Sequence, residues 1–143
     1  MIKQYIHLDK YDWKIRIYYE VDAVWKDMIM GDVADIGIKG KDAKTAMDML
    51  LKGEINTGFT YSNLDEGETV VVVFNGSSGA QFFNSLLHEI FHAHKHICES
   101  KKIDPFAEEA AYLMGDLCGE IYPKVKHLLC GCGKHRKDKD RPK

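Results

Sequence analysis

His88, Glu89 and His92 stand in the run Asn84-Ser85-Leu86-Leu87-His88-Glu89-Ile90-Phe91-His92, spaced as H-E-x-x-H. In a helix each residue advances by about 100°, so the two histidines fall one turn apart on nearly the same face. Imidazoles so placed can both reach one tetrahedral metal ion at roughly 2.0–2.1 Å. Glu89 falls at the edge of that face, where its carboxylate can take a proton from water activated by the ion without being a ligand itself. The chemistry this spacing predicts is metal-assisted hydrolysis.

The same segment carries what is needed to anchor it. Stepped at helical spacing, Phe82, Phe83, Leu86, Leu87, Ile90, Ala93 and Ile97 form an apolar arc, and Ser85, His88, Glu89, His92 and His96 lie opposite. His94 points about 200° away from His92 and reads as a core-edge or surface residue. His96 follows His92 by one turn, too far along the axis from His88 to share one ion; it is a candidate to steady a substrate oxyanion. The helix is expected to start after Asn75-Gly76-Ser77-Ser78-Gly79, with Ser78 and Gln81 spaced as an S-x-x-Q capping box.

Two histidines leave a zinc ion one protein ligand short of the usual three. The next helix offers Glu108 and Glu109. Glu108 shares its stripe with Ala111, Tyr112, Gly115 and Gly119, small residues that would let two helices approach closely, whereas Glu109 lines up with Asp116 and Glu120 as an acidic edge. Face geometry favours Glu108 as the third ligand, with Glu109 the alternative, and makes Tyr112 a candidate donor to the transition state. The core arc of that helix is Phe106, Ala110, Leu113, Leu117 and Ile121. Asp104 is expected to cap it, with Pro105 in its first position, and Pro123 closes it or opens a shorter last helix to Leu129.

Upstream, Trp13 to Val21 alternate as a half-buried strand. Asp22 to about Met30 reads as a short helix ending near Gly31. Asp42 to Lys52 reads as an amphipathic helix stopped by Gly53. Phe59-Thr60-Tyr61 and Thr69 to Phe74 read as a hairpin turning at Asp65-Glu66-Gly67. Four consecutive valines, Val70 to Val73, call for burial on both faces or an inner place in the sheet. The fold class is α+β: a small twisted sheet packed against helices, with the metal between the H-E-x-x-H helix and the helix after it.

With 143 residues, 45% of them hydrophobic, the chain suits one domain with a real core. That domain is expected over residues 1–130, followed by a tail, 131–143, in which Gly133 to Lys143 hold six Lys or Arg against two Asp. The tail reads as disordered and solubilising; one short mixed-sign segment is no argument for nucleic acid. No apolar stretch has the length of a secretory leader or a membrane span, which makes the cytoplasm the expected location. Cys98, Cys118, Cys130 and Cys132 are expected as reduced thiols, the Cys130-Gly131-Cys132 spacing being too tight for an easy disulfide.

His88-Glu89-Ile90-Phe91-His92 followed by Glu108-Glu109-Ala110-Ala111-Tyr112 resembles the gluzincin-type zincin metallopeptidases. The run Asn56-Thr57-Gly58-Phe59-Thr60-Tyr61-Ser62, the valine strand, the motif and Ala111-Tyr112-Leu113-x-Gly115 are similar to small zincin-like proteins of phages and prophages, and have the outline of the ImmA/IrrE-type peptidase domain. The resemblance covers roughly residues 55 to 120. It implies zinc held by two histidines and a glutamate four residues before an aromatic residue, which is Glu108 counted back from Tyr112. It also implies a protein or peptide substrate. Where thermolysin-like members carry an aspartate one turn after the glutamate, this chain has Tyr112. The alternative function is a non-catalytic, zinc-stabilised binding module of phage or prophage origin that engages a regulator or particle protein.

Overall fold

A computed structural model describes residues 1–130. The element order is β1 (Ile2–Leu8), β2 (Trp13–Val21), α1 (Lys26–Asp35), α2 (Lys41–Lys52), β3 (Gly58–Asn63), β4 (Glu68–Phe74), α3 (Gly79–Lys101) and α4 (Glu108–Leu129), with short 3-10 turns at Asp9–Tyr11 and Ala23–Trp25. The four strands form one mixed sheet in the order β1-β2-β4-β3. β2 and β4 pair in parallel at its centre, and β1 and β3 pair antiparallel at the two edges. The α+β expectation holds. The tail, with Cys132, lies outside the described residues.

The four valines explain the layering. Val71 and Val73 face α3 and α4, where they join Ile15, Ile17 and Tyr19 of β2 and Leu86, Ile90 and Leu117 of the helices in one core. Val70 and Val72 face α1 and α2 and join Tyr18, Ile29, Val33, Ala46 and Leu50 in a second. A strand with an apolar core on each side has no polar face to spare, which is why its hydrophobic run is continuous. The same central position changes the reading of β2. Tyr18, on the second face of a strand expected to be half-buried, is fully buried and donates a hydrogen bond to Asp32 of α1, which also accepts from Arg16 at 2.8 Å.

Boundaries differ where a local signal was outweighed. β1 has no counterpart in the sequence reading; it pairs with β2 from Ile2 opposite Tyr19 to Leu8 opposite Trp13. α1 runs through Gly31 to Asp35 and stops before Gly37, whose φ of 89° suits glycine. α2 ends at Gly53 as expected, with the Gly53 N–H donating to Met49 O. Asp104 caps a turn, accepting from the Phe106 N–H at 2.9 Å, but α4 begins only at Glu108. Pro105 is therefore outside the helix and Phe106 is exposed rather than in the core. α4 continues through Pro123 to Leu129. Cys98 and Cys118 carry free thiols, both shifted up in pKa by burial.

Candidate active-site cleft

α3 is positioned from its first residue. Ser78 Oγ accepts the Gln81 N–H at 3.1 Å, the cap the sequence predicts. Gly79 sits so close to the end of α4 that a Cβ there would lie 2.6 Å from Leu129 O, and a Cβ on Gly76 would lie 2.6 Å from Phe82 N. Strand β4, the glycine turn and the helix therefore form one tightly joined unit. Asn56, in the left-handed region at φ 63°, ties the start of β3 to the same turn. Its Oδ1 accepts the Ser77 N–H at 2.9 Å and its Nδ2 donates to Ser77 Oγ at 3.1 Å.

The face of α3 that carries the motif lies along β3. His88 Nε2 and His92 Nε2 are 3.2 Å apart. Two nitrogens each about 2.0–2.1 Å from one tetrahedral ion lie roughly 3.3 Å apart, so the donor pair has the spacing one ion requires. Glu89 is only 5% exposed, and Thr60 Oγ1 donates to its Oε1 at 3.0 Å. Burial raises the Glu89 pKa, while the Thr60 hydrogen bond and then the two histidines pull it back. A carboxylate poised in this way can take up and release a proton nearer to neutral pH than an exposed one. Glu89, His88, Asn84, Ser85, Met49 and the Asn56-Thr57-Gly58 segment line an open cleft of about 340 Å³.

Gly58 makes room for this carboxylate. A Cβ at Gly58 would lie 2.5 Å from Val72 O and 2.9 Å from Glu89 Cγ, so no other residue fits without displacing one of them. Gly58, Thr60 and Ser62 form a row of small residues at period 2 on the face of β3 that meets α3. That row, alternating with Phe59 and Tyr61, is the sequence signal that identifies the strand beside the motif. Ser62 Oγ lies 2.7 Å from His96 Nδ1, and burial, followed by His92, lowers the His96 pKa.

The structure does not bring the expected third ligand to the histidine pair. His94, which points away from His92, donates from Nε2 to Ala110 O at 2.8 Å. The first turn of α4, with Glu108 and Glu109, thus packs on the His94 side of α3, around the helix from His88 and His92. Glu109 accepts from Tyr11 at 3.0 Å and pairs with Lys10 at 3.5 Å. Among the described residues no group of three or more His, Cys, Asp or Glu side chains could hold a metal ion, so Glu108 does not join the histidine pair. Nor does the glycine stripe face α3. Tyr112, 68% exposed, lines a separate cleft of about 450 Å³ with Gly115, Gly119 and the His7–Tyr11 segment. The contact between α3 and α4 is made instead by Ala110, Leu113, Leu117 and Ile121.

No helix among the described residues is long and apolar enough to cross a membrane. Comparison with protein-family models, curated proteins and solved structures finds no match to this chain.

Proposed function

We propose that the chain is a zinc-dependent peptidase whose reacting groups lie in the cleft between α3 and β3. The observation that carries this reading is the 3.2 Å separation of His88 Nε2 and His92 Nε2 beside a buried glutamate. His88 and His92 would hold the ion, which when bound supplies Lewis acidity to a carbonyl and acidity to water. Glu89 accepts a proton at its carboxylate from the attacking water and returns it to the leaving amine. Thr60 keeps that carboxylate aimed.

Strand β3 supplies a way to lay out a substrate. Phe74 N–H donates to Thr57 O at 3.0 Å, so alternation along the antiparallel ladder makes Phe59–Val72 and Tyr61–Val70 the next hydrogen-bonded pairs. The backbone N–H and C=O groups of Gly58, Thr60 and Ser62 then point off the free edge of the sheet. An extended peptide can pair there, with Glu89 beside it.

The test is hydrolysis of a casein-derived peptide mixture by the zinc-reconstituted chain, with and without a chelator. The expected result is chelator-sensitive cleavage that Glu89→Gln abolishes while retaining the metal. Cleavage that survives Glu89→Gln removes Glu89 from the base role. Catalytic zinc normally takes three protein ligands, and the absence of a third among the described residues favours a second reading, a non-catalytic module that binds a regulator or particle protein. Under that reading a peptide hydroxamate does not bind the zinc-loaded chain; under the first it does.

A further inference from the structure

A chain of hydrogen bonds runs from the core to His96. Trp13 Nε1–H donates to Thr69 Oγ1 at 2.8 Å, Thr69 Oγ1 lies 2.7 Å from Ser62 Oγ, and Ser62 Oγ lies 2.7 Å from His96 Nδ1. Its direction follows from the donor inventory. Indole N–H can only donate, so Thr69 accepts at that end. Thr69 is fully buried, and its own proton needs an acceptor, which Ser62 provides. Ser62 in turn donates to His96 Nδ1. The reverse order would leave the Thr69 hydroxyl proton without an acceptor in the core, at a desolvation cost that buried polar groups rarely carry.

His96 is thus fixed as a neutral ring with Nδ1 accepting and Nε2 protonated. Among the described residues Nε2 has no hydrogen-bond partner and is not a buried unpartnered atom, so it keeps contact with solvent, on the face that carries His88 and His92. On β3, Thr60 contacts Glu89 and Ser62 contacts His96. A peptide paired with the β3 edge therefore presents, next to His96, the side chain two residues along from the one next to Glu89.

We propose that His96 is a specificity-determining residue, donating from Nε2 to a substrate side chain that ends in a carboxylate or amide oxygen, two residues from the position beside Glu89. The proposal rests on the peptide-binding reading of this cleft. The Trp13-Thr69-Ser62 chain is the positioning device that keeps His96 a donor on the open side.

The test is long-range 1H–15N correlation spectroscopy on the full chain with labelled histidine, combined with backbone amide spectra. His96 should show a bare Nδ1 and a protonated Nε2, and Ser62→Ala should abolish that single-tautomer pattern. A protonated Nδ1 in the wild type overturns the proposal. Pools of end-blocked octapeptides carrying Glu, Gln or Leu at successive positions are then added to the Glu89→Gln chain, which binds without turnover. The Glu and Gln pools should shift His96 Nε2 and bind about fivefold to tenfold more tightly than the Leu pool. His96→Leu should lose that preference and His96→Gln, which keeps an N–H near the Nε2 position, should restore it. A preference for Glu over Gln identifies a carboxylate ligand; equal binding identifies a carbonyl oxygen. Shifts at Gly58, Thr60 and Ser62 amides that are the same for all pools overturn the His96 role and leave peptide binding standing. No shift with any pool overturns the peptide reading and this proposal together.

Discussion

Of the two clefts lined by polar side chains described above, the larger is the less suited to chemistry. The one between α4 and the His7–Tyr11 segment holds about 450 Å³ and is rich in charged residues, and two side chains of its lining, Lys10 and Tyr11, are engaged by the exposed Glu109. The one between α3 and β3 holds about 340 Å³ and contains a carboxylate taken out of water beside two histidines held 3.2 Å apart. A solvated ion pair is worth little and changes little when disturbed. A buried carboxylate is costly to hold and so marks a place where the fold has been arranged around a charge. Burial and partner geometry, more than size, separate the two.

The sharpest way to break this comparison is to remove the base. Glu89→Gln is expected to lower peptide hydrolysis by about 10²–10⁴-fold at unchanged metal content, whereas Glu109→Gln leaves both unchanged; equal losses in steady-state assays would put the two clefts on the same footing. Gly58→Ala comes next. The added methyl must push either Val72 O or Glu89, for an expected loss of about 2 kcal/mol in urea unfolding together with reduced turnover, and a neutral result would mean that the strand is free to move. His94→Ala, which removes the hydrogen bond to Ala110 O from the α3–α4 interface, is expected to cost about 2 kcal/mol and leave metal content untouched.

Acidity gives a fourth way to sharpen the comparison. Burial raises the Glu89 pKa, so the folded chain binds that proton more readily than the unfolded chain. Stability from this group is then greatest below the ordinary glutamate pKa and falls as pH rises from there through the raised value in the fold. Melting of the metal-free protein should therefore show Glu89→Gln more stable than wild type at about pH 7 and equal to it at about pH 4. A constant difference across that range would contradict the assigned burial. The smallest effect is expected at Glu109→Gln, within about 0.5 kcal/mol at any pH.

Much of this arrangement is legible in the residues. The spacing of His88, Glu89 and His92, the Ser78 cap, the Gly53 stop and the four valines each express a local rule that tertiary packing leaves intact. What was not legible depends on which side of α3 its neighbours occupy. Helical projection puts Glu108 and Glu109 on different stripes but carries no information about how one helix is turned against another. The glycines at 115 and 119 therefore suggested a close helix contact that is made by Ala110 and Leu113 instead, and by Gly79 at the opposite end. β1 was hidden because an edge strand exposes alternate residues such as Tyr5 and His7, and its register is set by β2. The sequence places Phe106 in the core because Asp104-Pro105 is a strong start signal; in the fold Asp104 caps a turn one step before the helix.

The central claim is that His88 and His92 hold a metal ion beside Glu89, and elemental analysis of the purified, zinc-reconstituted chain tests it most directly. The account predicts one zinc per chain in the wild type and in Glu89→Gln and Glu108→Ala, and none in His88→Ala or His92→Ala. Zinc retained at full occupancy in both histidine variants, or no zinc in the wild type, would contradict it.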